Sequence, residues 1–168
     1  VITTISMDHT NILGDSIEDI AYQKAGIIKQ DSPVFIYPKE DAVMDVFLNK
    51  ARQTNSKVFS FNKDEVNIKQ IDDKANIFNF RDYKDVQIKL LGKHQIYNAC
   101  LALMVLDYFK DEFSLDSEII KESLAKTENI GRLTTISSNP RVIVDGSHNK
   151  EAIDALIKAL KSFSYDKL

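Results

Sequence analysis

The chain has 168 residues, of which 43% are hydrophobic and 28% charged, and its formal net charge is −3. This composition is typical of a soluble folded protein and excludes a disordered or low-complexity chain. Basic residues form no cluster, which argues against a nucleic-acid partner, and no apolar run approaches the roughly 18 residues that span a membrane.

Residues 1–6 form a β-prone apolar run that predicts a buried strand. Asp8 and His9 follow it, at the edge where open α/β sheets bind their ligands. The run begins at Val1 without an initiator methionine, and the sequence closes in polar residues directly after a helical pattern. We therefore interpret the chain as a piece of a longer polypeptide.

Residues 16–25 predict an amphipathic helix whose apolar stripe includes a lysine. Ile17, Ile20 and Ala21 recur at helical spacing, and Lys24 continues the same stripe. Burial without a partner lowers the pKa of a lysine and favours the neutral amine. A neutral amine can form a Schiff base, act as a base, or add carbon dioxide to become a carbamate. The alternative is a packed stem whose charge reaches water.

Strand and helix patterns alternate in the first third of the chain. Residues 33–37 predict a short strand, and residues 41–54 predict a helix with Val43, Phe47 and Ala51 on one stripe. This order is typical of a parallel α/β sheet. Short alternating runs between polar turns then predict a small antiparallel meander. The predicted meander strands are residues 58–61, 66–68, 77–80 and 86–90.

The rest of the chain predicts three helices and one strand. Residues 95–109 and 117–126 are helical patterns, the first of them apolar on most sides and carrying Cys100. A lone cysteine in such a segment is typical of the core of a reduced, cytoplasmic protein. Residues 141–145 predict a buried strand, and a turn leads from it into an amphipathic helix over residues 150–162.

This last strand–turn–helix unit is the usual opening of a second α/β domain. We therefore place a boundary between residues 134 and 140, with one domain over residues 1–136 and the truncated start of a second over residues 137–168. A single unit of this kind cannot build a core alone, so the exposed core surface would favour self-association of the piece.

Three histidines lie at junctions between strands and helices. His9 follows a strand, His94 precedes a helix, and His148 lies at another helix entrance, where free N–H groups favour phosphate or carboxylate. Each one alone is typical of a hydrogen-bonded structural histidine, but their common placement favours a functional site. Asp145, at the end of its strand, has the alternative role of capping the next helix.

Several segments together resemble one protein family. They are residues 3–14 (TTISMDHTNILG), 20–29 (IAYQKAGIIK), 90–99 (LLGKHQIYNA), 131–132 (GR) and 144–149 (VDGSHN). In order and spacing they are similar to the middle of a folylpolyglutamate synthase/dihydrofolate synthase, a member of the Mur ligase superfamily of ATP-dependent amide ligases. The resemblance covers essentially the whole chain. It implies an α/β fold in which part of a central ATPase domain, with a parallel sheet, helices and a small antiparallel meander, precedes the first strand–helix unit of a Rossmann-like C-terminal domain.

The resemblance also implies that ATP and Mg²⁺ are the cofactors. His9 matches a histidine that binds magnesium near the ATP phosphates. Lys24 matches a lysine that is carbamylated in the family and helps to hold the metal. Asn98 matches an asparagine that contacts adenine.

For the whole enzyme, the resemblance implies that L-glutamate is joined to a carboxylate of folate or dihydropteroate through an acyl phosphate. On this scheme Arg132 and His148 neutralise phosphate charge, and Asp145 helps to hold the nucleotide. The implied partners are small molecules, without nucleic acid or membrane, and the full-length protein is expected to be a monomer. Whether it makes dihydrofolate, lengthens the glutamate tail or does both stays open.

One element of the family is missing from the sequence. The phosphate-binding GxxxxGK[ST] loop does not occur in the 168 residues, so we expect the piece to be inactive alone. Two alternatives stay open: a Mur-type ligase that acts on a peptidoglycan precursor, and a non-catalytic interaction fragment in which Lys24 is merely packed. A carbamate-bridged hydrolase is disfavoured, because the sequence lacks the His-x-His pair of such a two-metal site.

Overall fold

A computed structural model describes residues 1–5 and 16–165, so His9 lies outside the described residues. The chain divides into two compact units, Val1–Lys63 and Asp64–Leu168. The domain boundary expected between residues 136 and 137 falls within the second unit and stays a prediction.

The first unit contains a parallel βαβ arrangement. Its elements are helix α1 (Ile17–Ala25), strand β1 (Val34–Phe35), helix α2 (Asp41–Gln53) and strand β2 (Val58–Phe59). The two strands pair in parallel, and Ile2 adds a parallel bridge to Ile36. Within residues 1–5, the expected N-terminal strand is thus a single bridge. The predicted parallel α/β order is confirmed.

The assignment of residues 58–61 to the antiparallel meander is wrong. Val58 and Phe59 lie opposite Val34 and Phe35 in a parallel pair, and the two phenyl rings stack with their centroids 5.0 Å apart. A short apolar run looks the same in either kind of sheet. The connection decides the strand direction, and here the helical crossover α2 returns the chain parallel to β1.

Helices α1 and α2 pack against each other and share an apolar core. The predicted stripe of α2 is buried, since Val43, Phe47 and Ala51 are 4%, 0% and 2% exposed. Ile20 and Ala21 of α1 are completely buried as well. The helix stripes predicted for this unit are therefore confirmed at these positions.

The second unit opens with the predicted antiparallel meander. Its strands are β3 (Val66–Ile71), β4 (Asn76–Phe80) and β5 (Tyr83–Ile88), paired in that order. Asn76, Phe78 and Phe80 lie on one face of the central strand, and none is more than 1% exposed. Strand β4 packs against helix α3 (Lys93–Tyr108).

Helix α3 is buried on most sides, as its apolar sequence predicts. Ile96, Cys100 and Leu103 are fully buried, and burial raises the pKa of the Cys100 thiol to about 12. The expectation that Cys100 is a core residue is therefore confirmed. Helix α4 (Ser117–Lys126) follows; the side chain of Asp116 caps its start, and the helix packs against β5.

The last part of the chain contains the predicted strand–turn–helix unit. Strands β6 (Thr134–Ser138) and β7 (Arg141–Val144) form an antiparallel hairpin, and helix α5 (Lys150–Leu160) follows. The expectation of a buried strand is wrong here, because Val142 and Val144 are 40% and 44% exposed. An apolar run marks a strand, but it does not show whether a neighbouring element covers that strand.

Helix α5 buries only part of its predicted apolar stripe. Leu156 and Leu160 pack against a cluster whose buried members are Leu91, Leu133, Ala159 and Phe163. Ile153 and Ile157 are instead 43% and 46% exposed. Among the described residues, no helix has both the length and the apolar character needed to cross a membrane.

Candidate functional site

Lys24 lies on the last turn of helix α1, one turn after Ile20. Ser16 caps the start of the helix, and its hydroxyl oxygen accepts the backbone N–H of Asp19 at 3.1 Å. Lys24 is half-buried, between exposed Gln23 and buried Ala25 along the chain. The structure gives its ammonium group no hydrogen-bond or ion-pair partner within residues 1–5 and 16–165. The position therefore suits a packed stem as well as a modified amine.

The predicted magnesium site depends on His9 and Lys24 together. A carbamate on Lys24 would supply oxygen ligands of the kind that Mg²⁺ prefers. Among the described residues, no group of three or more His, Cys, Asp or Glu side chains is placed to hold a metal ion. Since His9 lies outside that part of the chain, the metal site and both catalytic roles stay predictions.

Asp145 ties together two loops of the second unit. One carboxylate oxygen accepts the backbone N–H of Leu133 at 2.9 Å; the other accepts the backbone N–H of Ser147 at 2.9 Å and its hydroxyl. Burial alone would raise the pKa of this carboxyl. The hydrogen bonds from Ser147 and Leu133, with the nearby Arg132 guanidinium, outweigh that effect and hold the pKa below its usual range.

The cap of helix α5 is Asn149, whose side-chain oxygen accepts the backbone N–H of Ala152 at 2.9 Å. The alternative role of Asp145 as the helix cap is therefore wrong. Ser147 links the two features, because its hydroxyl binds Asp145 and lies 3.1 Å from the carbonyl oxygen of Ala152. The Asp145 carboxylate therefore holds the turn between β7 and α5 through its hydrogen bonds to Ser147.

The loop before β6 follows a strained backbone path. Gly131 has a φ of 84°, and Leu133 has a φ of 49°, in a region that larger side chains rarely adopt. Leu133 is held there by its hydrogen bond to Asp145 and by a side chain that is only 5% exposed. The N–H of Gly146 also donates to the carbonyl of Gly131 at 2.7 Å. These contacts fix the backbone on both sides of Arg132.

Arg132 and His148 flank Gly146 on this pair of loops, and both side chains are exposed. An atom at the Cβ position of Gly146 would lie 3.8 Å from Arg132 Nη1, so the guanidinium group is beside that glycine. His148 Nδ1 lies 2.9 Å from the carbonyl oxygen of Gly146. Because a carbonyl only accepts, Nδ1 carries the proton and Nε2 is left for another partner. The pair suits an anionic group such as phosphate.

His94, in the first turn of α3, lies close to these loops. Gly92 precedes it with a φ of 90°, and a Cβ there would come within 2.9 Å of the imidazole ring. Burial lowers the pKa of His94, Asp145 acts in the opposite direction, and Arg132 lowers it further. Leu91 and Leu133 also belong to one packed cluster, so the start of α3 lies beside the loop that carries Arg132.

Asn98 follows His94 by four residues, so both lie on the same face of α3, one turn apart. Its Nδ2 donates to Gln95 Oε1 at 3.1 Å, and the side chain is half-buried. Arg132, Asp145 and His148 are therefore brought together on one pair of loops. His94 lies within electrostatic range of Asp145 and Arg132, and Asn98 lies one turn along the helix.

The sequence of this chain matches a known family. The profile of the Mur ligase middle domain covers residues 1–106, which is more than half of the chain. The chain belongs to the Mur ligase family. Dihydrofolate synthase/folylpolyglutamate synthase of Bacillus subtilis (strain 168) is 32% identical to this Mur ligase chain over 174 residues, covering 96% of the chain and 39% of the relative.

Solved structures of related Mur ligases share the fold. Mycobacterium tuberculosis folylpolyglutamate synthase complexed with ADP and AMPPCP matches with a TM-score of 0.80 and 29% identity, over 95% of this chain and 38% of that one. An FPGS–AMPPCP–folate complex matches with a TM-score of 0.81 and 28% identity, over 95% of this chain and 41% of that one. The predicted fold class is confirmed, and the chain spans 38–41% of the length of these relatives.

Three polar residues of this region are missed by reasoning from sequence patterns. No sequence pattern marks Ser147 as a site residue, yet its hydroxyl donates a hydrogen bond to Asp145. Gln95 is three residues from Asn98, and this helical spacing is a signal that could reveal the contact. Asn76 has no such signal, because the carbonyl of Leu90, which accepts its amide N–H at 2.6 Å, lies 14 residues along the chain.

Proposed function

We propose that this chain carries the adenine-nucleotide part of an ATP-dependent ligase that joins L-glutamate to a carboxylate of folate or dihydropteroate. The main supporting observation is that Arg132, Asp145 and His148 lie together on one fixed pair of loops, close to the start of the helix that carries Asn98. The relatives named above are folate enzymes, and one is an AMPPCP–folate complex. This favours a folate substrate over a peptidoglycan precursor.

The side chains present fit a purine nucleotide. A half-buried carboxamide such as Asn98 offers one acceptor and one donor side by side, which matches the N6 amine and N7 of adenine. Arg132 offers positive charge and N–H donors at the fixed turn that Asp145 organises, and His148 offers Nε2, which donates to a phosphate oxygen when that nitrogen carries a proton. We assign adenine to Asn98 and the phosphates to Arg132 and His148.

In the proposed reaction ATP supplies the phosphoryl group that activates the substrate. The substrate carboxylate bonds to the γ-phosphorus as ADP leaves, and the amine of glutamate then attacks the carbonyl carbon and displaces phosphate. Negative charge accumulates on the reacting oxygens, so fixed cationic groups lower the barrier. Arg132 supplies a permanent cation, and His148 adds a second one when both of its ring nitrogens are protonated. The hydrogen bonds of Asp145 fix the loops that carry these two residues before the substrate binds.

We assign the magnesium ligands to His9 and to Lys24 as its carbamate, as the family resemblance implies. The buried, reduced thiol of Cys100 supports a cytoplasmic location. The monomeric state of the whole protein is part of the same proposal. A non-catalytic role is disfavoured, because nothing in an interaction module requires a strained loop that is held by a half-buried carboxylate.

The nucleotide assignment can be tested on residues 1–168 by titrating the labelled protein in two-dimensional NMR. We expect adenosine to shift the Asn98 side-chain amide, tripolyphosphate to shift the Arg132 and His148 region, and ATP to shift both. Asn98→Ala should weaken ATP binding about tenfold, as expected for one bidentate base contact. Asn67→Ala, an exposed change on β3, is the control. Shifts in neither region would refute the proposal.

We expect the 168-residue chain to form no ADP in a glutamate- and folate-dependent manner. The physical reason is that its sequence contains no GxxxxGK[ST] loop to cradle the phosphates with N–H groups and a lysine. A coupled assay for ADP with dihydropteroate or folate measures this directly. Robust turnover by the chain alone would contradict the expectation.

A further inference from the structure

Arg141, the first residue of β7, joins three elements of the second unit. Its Nη1 donates to Asp73 Oδ2 at 2.6 Å, and its Nη2 donates to the backbone carbonyl of Asp73 at 3.3 Å. The guanidinium also lies over the ring of Phe163, with Cζ 5.0 Å from the ring centroid. The side chains of Arg141 and Asp73 are only 31% and 21% exposed, so salt and water screen this pair less than a pair on the open surface. We call these contacts the Arg141 anchor.

The turn that carries Asp73 is itself held by hydrogen bonds. Asp73 lies between β3 and β4, directly after Asp72. The Oδ1 atom of Asp72 accepts the backbone N–H groups of Lys74 and Ala75 at 2.8 and 3.0 Å. The meander therefore presents the Asp73 carboxylate from a fixed turn, to which Arg141 can bind in one direction.

Arg141 lies at the opposite end of β7 from the loops assigned to phosphate. Asp145 follows the last residue of the strand, and four residue steps of strand at roughly 3.3 Å each place it about 13 Å from Arg141. Strand β7 pairs with β6 and leads into α5, and we call residues 133–163 the hairpin–helix module. Arg141 therefore holds the far end of the module whose near end carries the phosphate loops.

An apolar contact also joins the module to the rest of the unit. The buried members of that contact are Leu91, Leu133, Ala159 and Phe163. A Cβ on Gly92 would lie 3.1 Å from the Cβ of Ala159, so α5 lies directly against the start of α3. Apolar contact has no preferred direction, whereas a guanidinium held at two points has one. The Arg141 anchor therefore sets the rotation of the module about the apolar contact.

We propose that Arg141 is a positioning residue for the nucleotide: by fixing the rotation of the hairpin–helix module, it sets the distance between the phosphate loops and Asn98. The inference rests on the proposed function, because it takes those two assignments as given. A ligand that bridges two places binds fully only when their spacing matches its length. Loss of the anchor should therefore weaken ATP, which needs both places, and spare adenosine, which needs only Asn98.

The experiment compares ATP with adenosine in NMR titrations of residues 1–168. Arg141→Gln removes the guanidinium and keeps a long polar side chain. We expect it to lower the ratio of ATP affinity to adenosine affinity about fivefold, a typical size for a residue that acts through the position of others, with adenosine affinity unchanged. Asp73→Ala should lower the ratio less, because the backbone carbonyl still accepts Nη2. The double variant should lose no more than Arg141→Gln alone, as expected for two residues that act through one contact.

Arg81→Gln is the matched control. Arg81 Nε donates to Glu65 Oε2 at 2.9 Å, and its guanidinium carbon lies 5.0 Å from the ring centroid of Phe80, so this arginine makes the same two kinds of contact within or beside the meander. The control should retain the wild-type ratio. A merely structural role of Arg141 would weaken both ligands equally. An unchanged ratio in Arg141→Gln, or an equal fall of the ratio in Arg81→Gln, would overturn the proposal.

A measurement without nucleotide separates this inference from the proposed function. Residual dipolar couplings report the direction of the backbone N–H bonds of α5 relative to those of α3. The wild type and Arg81→Gln should share one relative orientation, and Arg141→Gln should depart from it. A wild-type orientation in Arg141→Gln would refute the role of Arg141, whether or not ATP binds. A changed orientation in Arg141→Gln, with no binding of ATP by the wild type, would instead refute the proposed function.

Discussion

Helix α3 is apolar on most sides and helix α5 along one side, and the two helices are buried to different degrees. On α3, Ile96 and Leu103 are completely buried, and the start of the helix is held by Asn76 from a neighbouring strand. On α5, Ile157 is 46% exposed, and the helix is capped by its own neighbour Asn149. An apolar stripe shows which face of a helix prefers to be covered. The covering itself depends on segments far away in the sequence.

The largest expected effect comes from a matched pair of isoleucines, one on each helix. Ile96→Ala should lower the free energy of unfolding by about 3 kcal/mol, because it leaves a cavity in a packed interior. Ile157→Ala should cost less than about 1 kcal/mol, since its side chain is partly solvated already and alanine favours the helix. Urea denaturation of both variants measures the difference. Equal losses would show that α5 is as well covered as α3.

The next-largest effect concerns the start of α3, which depends on the buried Asn76 amide. Asn76→Asp replaces the amide that donates to the Leu90 and Gly92 carbonyls with a carboxylate that repels them. We expect a loss of about 3 kcal/mol near neutral pH, as for a buried charge without a partner. The loss should shrink at acidic pH, where the protonated carboxyl can donate again.

Asn79→Asp is the matched control on the same strand. The side-chain oxygen of Asn79 accepts the backbone N–H of Asp85 at 2.8 Å, and a carboxylate keeps that acceptor. The control should cost less than about 1 kcal/mol, the range of a neutral change in one hydrogen bond. If Asn76→Asp were equally mild, the start of α3 would not depend on the Asn76 amide.

The smallest expected effect is a pH dependence at His94. Burial lowers the pKa of His94 from its ordinary value of 6.5. Between the folded pKa and 6.5, the histidine is therefore protonated in the unfolded chain and neutral in the folded chain. The free energy of unfolding should therefore fall as the pH drops through about 6.5 towards the folded pKa. Above about 6.5 the histidine is neutral in both states, and the full stability is retained. His94→Gln should flatten the slope, measured by urea denaturation between neutral and mildly acid pH. His148→Gln controls for the loss of a histidine as such, and an unchanged slope in His94→Gln would contradict the prediction.

The elements that depend on neighbours along the chain could be predicted from the sequence. The stripe of Val43, Phe47 and Ala51, the meander, and the burial of Cys100 all follow from periodicity within a few residues. Site residues could be named only through the family motifs, since no spacing rule assigns adenine to Asn98 or phosphate to Arg132. The role of Lys24 and His9 together depends on residues outside the described part of the chain.

The remaining features were decided by tertiary structure. Strand β2 pairs in parallel because a helix connects it to β1, and Val142 and Val144 stay exposed because no described element covers them. The hydrogen bonds of Asn76 to Gly92, and of Asp145 to Leu133, join residues 16 and 12 positions apart. Periodicity is set by the geometry of one turn or one pleat, so the sequence alone determined helices, strands and their apolar faces. Which polar groups meet across loops is set by how those elements pack, and only the folded chain determines it.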